Sequence, residues 1–229
     1  MTVPLRNYIA TSHPSSQSPR SRVRMSPQTD RATNGTPTCY DQPPIPQTRV
    51  WLLLSGGLDS TACLAFYRRG AFRIACIHVD YGQRSANAET ISARRVANHY
   101  RVPVTFLRCE SSALFDDGAI LGRNAFLLLT AILHIQNHSG ILALGIHSGT
   151  QYYDCSSPFV SSMQTLLDGY YDGRMQMAAP FLDWPKHEVY RFSQSNNVPI
   201  HLTYSCERGT LPPCEECPSC LDRRSLLAM

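Results

Sequence analysis

Lysine is almost missing from this chain. Of its 21 basic residues, Lys186 is the only lysine and the rest are arginine. A coding bias accounts for the arginine excess, but any chemistry that needs an ammonium side chain has one address. Also missing is a secretory leader, because no apolar core stands between a basic start and a small-residue cleavage site. The longest apolar run, Ala125 to Ile135, is broken by Thr130 and His134 and is too short to span a bilayer. These absences lead to the expectation of a cytoplasmic protein with no membrane partner. No basic strip is interleaved with aromatics, which argues against nucleic acid. The net charge of +4 is too mild to select an anionic partner.

With 229 residues, 43% of them hydrophobic, the chain can build one domain with a substantial core. Residues 1–48 are rich in Ser, Thr, Pro and Arg without apolar periodicity, and are expected to be a disordered extension. Short apolar runs then alternate with helical patterns. Strands are expected at Val50–Leu54, Phe72–Val79, Val104–Leu107, Ile141–Ile146 and Met175–Ala179. Helices are expected at Ser60–Arg69, Ala86–Tyr100, Asn124–Gln136, Ser157–Tyr171 and Pro185–Ser195. Ile91, Val96 and Ala97 are available for the buried side of the second, and the third is expected to be buried. The alternation predicts an α/β fold with a parallel sheet covered on both faces, binding ligand at the carboxyl ends of its strands.

One such end carries Ser55-Gly-Gly-Leu-Asp-Ser60 between the first strand and the first helix. Gly56 and Gly57 let backbone N–H groups approach an anion, Ser60 and Thr61 add hydroxyls, and the helix start adds its dipole. The pattern G-x-x-x-x-G-K-[ST] cannot be written over it, so its cation must come from elsewhere. Phosphate would repel Asp59, whose carboxylate suits a magnesium ion or a brace for the loop. A tight turn with Asp59 or Ser60 as helix cap is the bland alternative.

Nine cysteines are many for a chain of this kind, and four of them, Cys206, Cys214, Cys217 and Cys220, fall within fifteen residues as C-x7-C-x2-C-x2-C. Four thiolates suit tetrahedral zinc and leave no open position, so the site is expected to be structural. An iron–sulfur cluster is the other use of four cysteines, without a visible redox partner site. Pro212, Pro213 and Pro218 are expected to prevent a regular helix across this tail. Cys63, Cys76 and Cys109 read as small core residues.

The S-G-G-x-D-S loop resembles the pyrophosphatase loop of the N-type ATP pyrophosphatases (the PP-loop superfamily). Together with the cysteine tail it is similar to one subfamily, 7-cyano-7-deazaguanine synthase, from about Arg49 to the C-terminus. Asp80-Tyr-Gly-Gln-Arg84, Arg123-Asn124, Tyr153-Asp-Cys155, Pro180 with Lys186, and Tyr204-Ser-Cys206 carry the match. The resemblance implies five parallel strands flanked by helices, adenine nucleotide alpha hydrolase-like and Rossmann-like, over residues 49–200. It also implies a zinc knuckle over 201–229. It implies Leu54, Ser55, Gly56, Gly57, Leu58, Asp59, Ser60, Thr61, Asp80 and Lys186 at ATP, with Asp59, Lys186 and Arg84 catalytic. Tyr81, Gln83, Arg84, Arg123, Asn124 and Asp154 fall to the substrate, and His147, just past the fourth strand, joins them. The implied reaction adenylates a deazapurine acid with ATP and Mg²⁺, ammonia displaces AMP, and a second adenylation yields the nitrile. A homodimer is implied too. A divergent ligase using another amine, and a non-catalytic zinc-stabilised nucleotide- or tRNA-binding module, are the other readings. The chain departs from the family at Ser85 and Ala88, where His and Glu are usual, with Glu89 one place off.

Overall fold

The computed structural model describes residues 48–110, 115 and 118–229. The proposed extension, Thr48 apart, lies outside them. Five strands, β1 (Arg49–Leu53), β2 (Arg73–Asp80), β3 (Val104–Arg108), β4 (Gly140–Ala143) and β5 (Met175–Ala178), form one sheet. Their order is β3-β2-β1-β4-β5, and every pairing is parallel. The helices are α1 (Leu58–Arg68), α2 (Ala86–Tyr100), α3 (Arg123–His134), α4 (Ser157–Tyr171), α5 (Lys186–Ser195) and α6 (Pro218–Leu227). This is the expected Rossmann-like layering. The chain winds outward from β1 to β3 and returns to the other side of β1 for β4. The loops after β1 and β4 therefore part at the carboxyl edge and open a crevice there.

The sheet separates two cores because successive strand residues point to opposite faces. Val50, Leu52, Ile74 and Cys76 pack with α1, α2 and α5 on one face. Trp51, Leu53, Ile77 and Val79 pack with α3 and α4 on the other. Cys63 and Cys76 are core residues as expected, whereas Cys109, just past β3, is only partly covered.

Four expectations need correction. Ile91 is 45% exposed, and α2 instead buries Ala88, Ser92, Ala93, Val96 and Ala97. Small residues win that face because it must lie close to the glycine loop. The third helix is buried on one side only. Leu128, Ala131 and Ile132 face the sheet, while Phe126, Leu129 and Leu133 are exposed, since a single helix laid on a sheet offers it just one stripe. The fourth strand ends at Ala143, and Leu144–Ile146 continues past the ladder. Finally, Pro218 does not prevent a helix. It begins α6 at a position where the missing N–H costs nothing.

Candidate active site

The glycine loop leaves β1 at the switch point and turns straight into α1. Gly56 has φ +85°, and a Cβ there would sit 2.6 Å from the Ala93 nitrogen of α2. Only glycine permits both the conformation and the approach. The Ser92 hydroxyl then donates to the Gly56 carbonyl at 2.8 Å, pinning loop to helix. Within the loop, Ser55 Oγ and Ser60 Oγ lie 3.0 Å apart, Gly57 N donates to Ser55 Oγ, and Thr61 Oγ1 donates to the Gly57 carbonyl at 2.8 Å. Thr61 is fully buried and serves this brace.

Asp59 lies in the first turn of α1. Its Oδ2 is 2.6 Å from Lys186 Nζ, the first residue of α5, and 3.8 Å from His147 Nε2. Its Oδ1 is buried without a hydrogen-bond partner. A buried carboxylate oxygen left open suits a metal ion or a donor on a ligand, because burying such an atom unpaired costs about 1–3 kcal/mol. One open carboxylate oxygen is chemically compatible with magnesium, for which Asp59 would be the protein ligand. His147 accepts from Gly149 N at Nδ1, 3.0 Å away, so its proton sits on Nε2 toward Asp59. Burial lowers the His147 pKa, with Lys186 in the same sense and Asp59 and Asp222 opposing. Burial therefore favours the neutral ring. After β4, Gly145 passes so close that a Cβ would lie 2.7 Å from the Asp59 carbonyl, closing this wall of the crevice.

Two clefts of about 190 and 210 Å³ meet at the loop. The first runs between the ends of β1, β2 and β4 and includes Leu54, Ser60, Tyr81 and Asn124. The second runs toward the C-terminal tail and includes Leu58, Lys186, Tyr190, Asp222 and Arg223. Ser55, Gly57, Asp59, Glu89 and Arg123 line both. Burial raises the Tyr81 pKa, and Arg123, by charge and hydrogen bond, pulls it back. Tyr81 thus presents a phenol beside a guanidinium.

Three of the other predicted residues, Asp80, Gln83 and Asp154, hydrogen-bond next to this lining without forming it. Asp80 accepts from Gly82 N at 3.0 Å. Gln83 accepts from Tyr81 N and donates to Glu89, both at 2.9 Å. Asp154 accepts from Asn124 N at 3.1 Å and, through its carbonyl, from Asn124 Nδ2 at 3.0 Å. Arg84 is exposed and lines neither cleft.

Glu89, noted in the sequence only as a displaced family glutamate, and Tyr190, Asp222 and Arg223 carry no site role in the sequence reading. Asp222 Oδ2 stands 3.8 Å from Lys186 Nζ. Arg223 donates to Thr203 Oγ1 and the Ile200 carbonyl at 2.8 and 2.9 Å, tying α6 to the chain after α5. The sequence signals were the displaced glutamate at Glu89 and an acid and an arginine two and three places behind the last cysteine.

The Sγ atoms of Cys206, Cys214, Cys217 and Cys220 all lie within 4.8 Å of one another. Tetrahedral zinc at ~2.3 Å places sulfurs about 3.8 Å apart, and Cys214 and Cys220 Sγ are 3.9 Å apart. Backbone N–H groups of Glu207, Cys214 and Cys217 point at three of these sulfurs from 3.3–3.4 Å, favouring thiolate. The set fits zinc.

The sequence profile described as "Queuosine biosynthesis protein QueC" matches residues 49–121 and 115–229. A 7-cyano-7-deazaguanine synthase of Aquifex aeolicus is 30% identical over 208 residues, 78% of this chain and 95% of that protein. Another, of Anaeromyxobacter, is 33% identical over 218 residues, 78% of this chain and 91% of that protein. Among the described residues no helix is long and apolar enough to cross a membrane. On this match, running from β1 through the cysteine tail, the chain belongs to the QueC family.

Proposed function

We propose that this chain converts 7-carboxy-7-deazaguanine, ammonia and ATP into 7-cyano-7-deazaguanine. The observation that carries the reading is Asp59, paired through one oxygen with the chain's only lysine and open at the other, at the head of a glycine loop. The loop's N–H groups and hydroxyls take the pyrophosphate end of ATP. Asp59 would hold Mg²⁺, which when bound would neutralise phosphate charge. Lys186 turns from Asp59 to the phosphates when nucleotide enters. The acid attacks the α-phosphorus, pyrophosphate leaves, and ammonia then displaces AMP to give the amide. A second adenylation, at the amide oxygen, and loss of AMP give the nitrile. The chain's part is positioning and charge, since AMP is already a good leaving group. Arg123 beside Tyr81 is suited to the acid, and Asn124, fixed by Asp154, to a polar edge of the ring. The four cysteines would hold zinc, which would tie α6 against the cleft.

The departures at Ser85 and Ala88 give substance to a second reading, a ligase that stops at an amide or uses another amine. Incubation with ATP, Mg²⁺, ammonium and the acid, followed by mass spectrometry, separates them. Nitrile supports the first reading, and amide or adenylate alone the second. No AMP release with the acid would overturn both.

A further inference from the structure

We infer that Glu89 is the residue that receives the nitrogen donor, as an ammonium cation, at the junction of the two clefts. The inference rests on the amide-forming reading above. Glu89 projects from the first turn of α2 and is one of five residues lining both clefts, with Ser55, Gly57, Asp59 and Arg123. It therefore borders the space between the loop and the arginine, where an acyl adenylate would form.

Its carboxylate is fixed but not neutralised. Oε1 accepts from Ser85 Oγ at 2.8 Å and Oε2 from Gln83 Nε2 at 2.9 Å. Gln83 is buried and locked in turn by Tyr81 N, so its amide cannot turn away. Both donors are neutral. Among the described residues Glu89 has no ion pair, whereas the other two carboxylates of the clefts, Asp59 and Asp222, both face Lys186. A carboxylate offers about four lone-pair sites, and two remain. An ammonium ion has only donors and matches them. The site thus sorts its ligands by charge, with anions drawn to Arg123 and Lys186 and the small cation to Glu89.

The placement depends on the helical frame. Ala88 packs against Tyr204, Cys206, Cys217 and Cys220 of the knuckle. The next residue, about 100° around the helix, reaches the cleft. A glutamate one place earlier would have met the cysteine cluster.

In the step itself the ammonium ion gives one proton to the Glu89 carboxylate. The nitrogen lone pair forms the C–N bond at the acyl carbon, the C–O bond to AMP breaks, and AMP takes that electron pair. A second proton leaves the tetrahedral adduct to solvent, and Glu89 returns its own proton there.

The test is steady-state amide and nitrile formation by the full-length protein, with ammonium chloride varied at pH 7 and 8.5. Bound as the cation, ammonium should show a wild-type KM, in total ammonium, that changes by less than about threefold, whereas a site for uncharged ammonia would show a KM falling about tenfold per pH unit. Glu89→Gln should raise that KM by about tenfold or more while the KM for ATP moves less than about threefold. Glu89→Asp, which keeps the charge, should recover part of the loss. Ser85→Ala removes one brace without removing charge and should leave the ammonium KM near wild type. The inference is overturned by an unchanged ammonium KM in Glu89→Gln, by the tenfold pH trend in the wild type, or by Ser85→Ala and Glu89→Gln weakening every substrate alike. Wild-type protein without acid-dependent pyrophosphate exchange would overturn the parent reading instead, and that result is read before any variant is compared.

Discussion

Lys186 Nζ and Asp59 Oδ2 meet at 2.6 Å across 127 residues of chain. Their pairing joins the start of α5 to the start of α1, the two helices that flank the loop. It also keeps a cation beside a glycine loop that has none of its own. Lys186→Ala should therefore lower the rate of AMP formation by about 10²–10³-fold, the usual cost of one preorganised charge. Both partners are only partly buried, so the fold should survive, and metal content should be unchanged. Pyrophosphate release and a thermal melt on the same sample check both halves. Wild-type release would remove Lys186 from the chemistry.

The fold was legible because its signals were of the strong kind. Buried parallel strands read as short apolar runs, and a glycine pair directly behind one of them marks the switch-point loop. Which face each helix would bury was not legible. Ile91 is apolar yet exposed, since small Ser92 and Ala93 are what let α2 approach Gly56 closely. Pro218 was read as a breaker because proline has opposite meanings at the first turn and inside a helix. The loop, Lys186 and the four cysteines could be named from motifs. The motif marked Glu89 only as displaced and did not mark Asp222, because a motif fixes residue types and leaves open which side of a helix faces a cleft.

Gly56→Ala tests whether the loop's shape is imposed by α2. The substitution meets both a positive φ and a Cβ 2.6 Å from a backbone nitrogen, which a flexible neighbour cannot relieve. Destabilisation of about 1–3 kcal/mol is expected, visible as a lower urea midpoint. Gly57→Ala should cost less, because the nearest atom to its Cβ is the Ser55 hydroxyl at 3.3 Å and its φ is −77°. Equal midpoints for the two variants would contradict this account.

The cysteine cluster should hold about one zinc per chain by elemental analysis. Removing it by Cys217→Ser, or with a strong chelator, should lower the melting temperature and also slow AMP formation. The second effect follows from α6, which carries Cys220, sets Asp222 near Lys186 and packs Leu226 on Leu58 and Tyr190. A metal-free protein that melts and turns over like wild type would show the knuckle to be dispensable.

His147 offers a pH test whose sign is fixed by burial. Its pKa in the folded protein is lowered from 6.5, mainly because the ring is buried. The unfolded chain therefore binds the proton more readily. Above pH 6.5 both states carry a neutral ring, and its contribution to stability is fully present. As the pH falls below 6.5 toward the lowered value, the unfolded state gains a proton first and that contribution is lost. Urea midpoints measured from pH 7.5 to 5.5 should fall more steeply for the wild type than for His147→Asn, which cannot titrate. Because the ring also directs Nε2 at Asp59, the variant should lose activity at every pH in that range. Parallel stability profiles would mean that His147 titrates alike in both states and that burial does not govern it.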